Sequence, residues 1–166
     1  MNSMSATDRL DRLERRLNAL EDERDIARLI ASYGPLVDSG DAERVAALWA
    51  VDGVYDVEDW LMTGRAEVAA MVRSDAHQGL MARGCCHFFG PPVITVDGDD
   101  AMAVCQSTVL VRRESRGYQV ARAGVHLIRL RRGDDGWEIV TRTARQLDGG
   151  SAAHELLTAG LPGRSR

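Results

Sequence analysis

His87 stands between two cysteines and two phenylalanines in the run Gly84–Cys85–Cys86–His87–Phe88–Phe89–Gly90–Pro91–Pro92. Imidazole is the side chain most readily poised as a base near neutral pH, and an apolar setting makes it sensitive to any nearby charge. A histidine in an apolar run is also the ordinary form of a hydrogen-bonded core residue, so a catalytic reading needs a partner. A carboxylate such as that of Asp38, upstream, would serve. A carboxylate bonded to one ring nitrogen fixes the tautomer and stabilises the imidazolium formed when the other nitrogen takes a proton. About fifty residues separate the two, so only tertiary structure can bring them together. Without such contact, Asp38 is a helix-end or turn carboxylate beside Ser39–Gly40.

Other side chains supply a pocket if the pair exists. Tyr33 and Tyr55 have hydroxyls suited to a developing oxyanion. Trp49 and Phe89 are candidate walls, together with Trp60, Leu61, Met62, Met71 and Phe88, although the same residues are ordinary core material. His126 shares strand parity with Val120, Arg122, Ile128 and Leu130, and is either a second polar group of the pocket or a structural histidine. Arg142 shares parity with Val140 and Ala144. It is either a surface arginine or points inward, where it must meet Asp38, another acid or an anionic ligand. His77 and His154 read as exposed. No metal site is expected, because alternate residues of Cys85–Cys86–His87 face opposite sides of a strand, and no cofactor is implied.

The elements that must position these groups follow from periodicity. Residues 1–6 are expected to fray. Leu10, Leu13, Leu17 and Leu20 form a two-heptad seam on a charged helix, which packs on this domain or on a second subunit. Ile26, Leu29, Ile30 and Tyr33 continue the apolar face to Gly34–Pro35, where proline should bend or end the helix. Asp41 caps a short helix over 42–50, with Val45, Leu48 and Trp49 inward. Residues 53–57 read as a strand, 66–75 as a helix, and His77–Gln78–Gly79 as a loop. The period then changes to two, with strands over 86–96, 101–113, 118–132 and 137–146, joined by turns at Asp97–Asp100, Ser115–Gly117 and Gly133–Gly136. Helices first and a long antiparallel meander after them make an α+β domain, with helices packed into the concave face of a curved sheet. The organisation expected is an extension over 1–20, a domain over 21–148 and a partly mobile tail over 149–166.

Bulk properties narrow the class. The chain has 166 residues, of which 45% are hydrophobic and 28% charged, enough for one soluble globular domain with a real core. The net charge of −4 argues against non-specific binding to nucleic acid. All 21 basic residues are arginine, which removes any lysine Schiff base, Walker lysine or lysine acid–base role. Three cysteines with one adjacent pair form no disulfide framework. No apolar run reaches the roughly 20 residues of a membrane span. The charged stretch from Asp8 to Asp25 does not resemble a signal peptide, so a reducing cytoplasm is the expected compartment.

Four pieces of sequence carry a resemblance. ERDIARLIASYGPLVDSGDAERVAALWAVDGVYDV, TGRAEVAAMV, CCHFFGPPVITVDGDDAMAVC and HLIRLRRGDDGWEIVTRTAR resemble, in order, the opening helix pair and first strand, third helix, histidine strand and last hairpin of the SnoaL-like group. That group belongs to the nuclear transport factor 2-like superfamily of cone-shaped α+β domains, and the resemblance spans roughly residues 20–148. It implies small hydrophobic ligands and a homodimer or homotrimer. In scytalone dehydratase, bile-acid 7α-dehydratase and hexachlorocyclohexane dehydrochlorinase an Asp–His pair removes a C–H proton during elimination. By similarity these residues fall on Asp38 and His87, the dehydratases' tyrosine on Tyr33, and the dehydrochlorinase's arginine on Arg142. The dehydrochlorinase's lysine has no counterpart, which counts against a halide leaving group. The functions implied are a cofactor-free lyase or isomerase acting on a small cyclic substrate, a polyketide-cyclase-like enzyme, a non-catalytic binder in the same cone, or a structural partner subunit, against which the retained Asp–His pair counts.

Overall fold

A computed structural model describes residues 5–161. The fraying expected of residues 1–4 and the mobility expected of residues 162–166 lie outside the described residues. The elements are α1 (Ala6–Asp38), α2 (Ala42–Ala46), β1 (Trp49–Val57), β2 (Trp60–Thr63), α3 (Gly64–Arg73), α4 (Asp75–Arg83), β3 (Cys85–Phe89), β4 (Val93–Asp97), β5 (Asp100–Arg113), β6 (Gly117–Gly133), β7 (Gly136–Gln146) and α5 (Ser151–Ala159). One sheet runs β2-β1-β7-β6-β5-β3, with β4 also paired to β5. Every pairing is antiparallel except β1 with β7. Register breaks between Val109 and Leu110 and between Arg129 and Leu130 are the irregularities that let long strands curve. The fold is an α+β domain with helices against the inner face of a curved, unclosed sheet.

Ser5 caps α1 through a reciprocal pair with Asp8, so the chain is ordered from residue 5 where fraying was expected. Leu10, Leu13, Leu17 and Leu20 are 56–61% exposed and do not pack on this domain. The helix reaches the body of the fold at Asp22, which accepts from Trp137 Nε1 (3.1 Å) and Arg132 Nη2 (2.9 Å). Beyond that point Ile26, Ile30, Tyr33, Leu36 and Val37 are buried on one face, each contributing roughly 1.5–3 kcal/mol if fully covered.

Pro35 does not end the helix, as its sequence position suggested. It removes one hydrogen bond, but the buried Leu36 and Val37 hold the next turn against the core, and Ser39 N–H still bonds to the Pro35 carbonyl (3.0 Å). Residues 77–79 are likewise not a loop. Ser74 caps α4 by accepting His77 N–H, and Gly79 is carried inside the helix. The strand expected over 86–96 is two strands separated at Gly90–Pro91–Pro92 and laid end to end along β5. The tail also folds. Ala153, Leu156 and Leu157 lie at helical spacing and pack α5 with Val104, Val125 and Leu127, on the sheet face opposite the main core. Among the described residues no helix is long and apolar enough to cross a membrane.

One contact sets how closely α1 lies on β3. A Cβ built on Gly34 would stand 2.3 Å from the backbone oxygen of His87. Gly34→Ala therefore has to push helix and strand apart. The expected cost is about 2–3 kcal/mol, measured as a lowered urea midpoint at unchanged m-value. An unchanged midpoint would mean that the two backbones do not approach this closely.

Candidate active site

Asp38 is the last residue of α1, and the approach made possible by Gly34 brings it to β3. Its Oδ2 accepts the backbone N–H of His87 at 2.7 Å, and its Oδ1 accepts from ring Nδ1 at 2.6 Å. A carboxylate only accepts, so Nδ1 carries the proton and Nε2 is left with the lone pair. The thiol of Cys85, two residues back and on the same strand face, donates to the same Oδ1 at 3.4 Å. The expected pair is thus formed, with a backbone bond and a thiol that the sequence did not reveal.

His87 lines a cavity of roughly 210 Å³ together with Tyr33, Tyr55, Phe89, His126 and Arg142. That exceeds the ~150 Å³ that holds a benzene ring, so a monocyclic molecule with a substituent fits. Asp38 stands behind the His87 ring and does not line the cavity. Trp49, expected on the wall, does not line it either. It is wholly buried, packed against Tyr33 (6.0 Å between centroids) and Tyr55 (5.4 Å), so it supports the wall from behind. Among the described residues, its indole Nε1 is the only buried side-chain nitrogen or oxygen without a hydrogen-bond partner.

Arg142 points inward and is 2% exposed. Its parity with Ala144 holds but that with Val140 does not. Val140 is the extra residue at the register break between β6 and β7, and it lines an outer groove with Thr95, Met102 and Arg129. The guanidinium carbon lies 4.0 Å from the Tyr33 ring centroid, 4.5 Å from Tyr55 and 4.9 Å from Phe89. Arg142 Nε donates to His126 Nδ1 at 3.3 Å, and the far nitrogen of His126 bonds to Ser107 Oγ at 2.7 Å.

Two groups escaped the sequence reading. His77 is buried, not exposed. It lines the cavity, its Nε2 is 2.9 Å from the Val37 carbonyl, and its ring is 5.9 Å from that of His87. The Ser74 cap three residues earlier was the available signal. Ser107 shares a strand face with the buried Ala101, Ala103 and Cys105, and that parity would have found it.

Burial dominates the electrostatics. It pushes the His87 pKa below the usual histidine value despite the hydrogen bond and charge of Asp38, with His77 and Arg142 adding to the downward shift. His126 is pushed well below, by burial first and Arg142 second. Burial raises the Tyr33 hydroxyl far above the usual tyrosine range, so it is a hydrogen-bond donor at any ordinary pH. Asp38, Cys85 and His87 bring ligand-type atoms within 4.8 Å of one another, a convergence that the parity argument overlooked by treating Cys85–Cys86–His87 in isolation. A metal needs the thiolate, whereas burial and the neighbouring Asp38 push the Cys85 thiol up to about 11. The donor set as it stands suits hydrogen bonding.

Removing the carboxylate charge in Asp38→Asn should lower the His87 pKa further, by roughly one unit or more, in an NMR titration; equal values would mean that ring and carboxylate do not interact. The folded chain also binds protons on His87 and His126 less readily than the unfolded chain does. Their contribution is complete above the unfolded value of about 6.5 and declines as pH falls below it, by up to about 1.4 kcal/mol per pH unit per histidine. The urea midpoint should drop between pH 7.5 and 5.5, and less steeply in His126→Gln; a flat profile would contradict neutral burial.

Comparison with known proteins agrees with this architecture. The SnoaL-like domain family matches residues 18–143. A nuclear transport factor 2-like protein with a cystatin-like fold from Novosphingobium aromaticivorans is 41% identical over 95% of this chain and 99% of its own, with a TM-score of 0.87. A candidate scytalone dehydratase from the same species is 21% identical, covers 77% of this chain and 85% of its own, and has a TM-score of 0.66. The β subunit of a candidate aromatic-ring-hydroxylating dioxygenase, again from that species, is 21% identical over 77% of this chain and 90% of its own, with a TM-score of 0.63. No curated protein matches the chain. The last two likenesses concern fold alone; the family match and the 41% relative establish that the chain belongs to the SnoaL-like family of nuclear transport factor 2-like proteins.

Proposed function

We propose that this protein is a cofactor-free lyase or isomerase that takes a proton from carbon, next to a carbonyl or hydroxyl-bearing carbon of a small cyclic substrate. The observation that carries this reading is the 2.6 Å contact between Asp38 Oδ1 and His87 Nδ1 on the wall of a cavity large enough for one ring. His87 Nε2 accepts the proton. The imidazolium so formed keeps its Nδ1–H on Asp38, and in a poorly hydrated site that attraction offsets much of the desolvation cost of the new charge. The C–H electrons become a C=C bond. In elimination a hydroxyl departs from the adjacent carbon, taking the proton held on Nε2 to leave as water. In isomerisation the same proton returns to a different carbon. Tyr33, held protonated by burial, donates to the oxygen on which charge develops. Burial also keeps His87 neutral at pH 7, which is the form a base requires.

The fold family includes proteins described as dehydratases as well as ring-hydroxylase subunits, so fold alone does not choose between chemistry and scaffolding. The site residues favour chemistry. The direct test is deuterium wash-in from D2O at the α-carbon of cyclic ketones and β-hydroxy ketones, with and without a ring carboxylate, followed by NMR. Exchange above buffer should fall by about 10²–10⁴-fold in His87→Ala and by a comparable order in Asp38→Asn. Exchange indifferent to His87→Ala, or absent throughout the panel, would remove the proposal.

A further inference from the structure

Arg142 holds a charge that proton abstraction does not use. A guanidinium stays protonated in proteins, and this one is almost completely buried. Among the described residues no carboxylate comes within ion-pairing distance of it, although eleven other pairings are formed elsewhere in the chain. Burying an ion costs several kcal/mol even after relaxation. Contacts with aromatic faces return at most about 2 kcal/mol each when desolvated, and a ring face accepts none of the in-plane N–H bonds. Nε is satisfied by His126. Among the described residues the two Nη groups meet no carboxylate or carbonyl acceptor; the Tyr33 hydroxyl lies beside the guanidinium, and the side chain lines the cavity.

A second donor stands in the same wall. Because Arg142 Nε–H must donate, His126 Nδ1 must accept, which puts the His126 proton on Nε2. Nε2–H then donates to Ser107 Oγ at 2.7 Å, and the hydroxyl hydrogen of Ser107 is left to donate elsewhere. Ser107 lines the cavity. One fixed cation with a planar pair of donors, assisted by one hydroxyl, complements a monoanion with two oxygens in a plane.

We propose that the cavity binds a small cyclic carboxylate, its two oxygens held by the Nη groups of Arg142 and assisted by the Ser107 hydroxyl. This rests on the reading of the cavity as a substrate site and narrows the substrate class to monocyclic acids. The Tyr33 ring lies between the two ends of the site, 4.0 Å from the guanidinium carbon and 6.4 Å from the His87 ring centroid. An acid anchored at Arg142 therefore occupies the same cavity that His87 lines. The bound anion also cancels the cation that opposes protonation of His87, so binding prepares the base to take up a proton.

Benzoate and benzamide have nearly the same shape and differ in charge, and titration calorimetry with each tests the proposal without knowledge of the natural substrate. Wild type should bind benzoate at least tenfold more tightly than benzamide. Arg142→Gln should lose that preference, Ser107→Ala should weaken benzoate several-fold, and His87→Ala should leave the preference in place. If Arg142→Gln does not fold, the wild-type comparison and Ser107→Ala still decide. Equal or tighter binding of benzamide, a preference that survives Arg142→Gln, or no binding of either probe at millimolar concentration would overturn the carboxylate site. A clear preference for benzoate in a protein without His87-dependent deuterium exchange would leave this site standing and remove the proton-abstraction reading; exchange without the preference would do the reverse.

Discussion

Asp38 accepts two hydrogen bonds from a single residue, one from the His87 backbone and one from its ring. The geometry depends on this double acceptance, and it comes against local preference. A carboxylate at a helix C-terminus meets the negative end of the macrodipole, a penalty of about 0.3–1 kcal/mol. Hydrogen bonds to a charged acceptor are each worth about 1.5–3 kcal/mol, so the tertiary contact outweighs the local cost. The backbone bond fixes the carboxylate relative to β3, and the ring bond then fixes the plane of the imidazole. With the ring held, Tyr33 and His77 pack against it, Phe89 packs on Tyr33, and the cavity has a defined wall.

The two ends of the cavity differ in kind. At one end a histidine is kept neutral by burial; at the other a guanidinium keeps its charge by chemistry and spreads it over four ring faces. Asp38 is occupied by His87 and makes no ion pair with Arg142, so the acid does not quench the cation. The bidentate pair of Arg145 with Asp56, at 2.9 and 2.7 Å, ties β7 to β1 next to the site and holds the strand that carries Arg142. Tyr55 and Arg142 are direct partners in that parallel pairing, so a ring and the cation it faces sit at one register position.

Much of this was legible in residue types. The histidine in a Cys/Phe strand suggests a base, the resemblance to the SnoaL-like group supplies Asp38 as its partner, and strand alternation suffices for β5 to β7. What failed did so where one residue overrides a pattern. Pro35 signals a helix end, but the burial of Leu36 and Val37 outweighs one lost hydrogen bond. Gly79 suggests a loop, yet the Ser74 cap fixes a helix and buries His77. A single inserted residue at Val140 reverses strand parity, so Arg142 shares its face with Ala144 but not with Val140, and its inward direction stayed open in the sequence. The glycines and serines after Asp148 conceal the Ala153–Leu156–Leu157 stripe of a packed helix. Trp49 reads as a wall because its ring is large and helical spacing turns it inward; only the three-dimensional packing shows Tyr33 and Tyr55 in front of it.

The parallel pairing of β1 with β7 has a consequence for the order in which the site is assembled. Every other pairing in the sheet joins strands that are close along the chain or linked through β5, whereas β1 must wait for the last strand to be made before it gains its second neighbour. Pairings of such long sequence separation form late, because chain closure costs entropy before any contact compensates it. Because Tyr55 stands opposite Arg142 in that pairing, the burial of the guanidinium depends on a contact between two strands far apart in the chain.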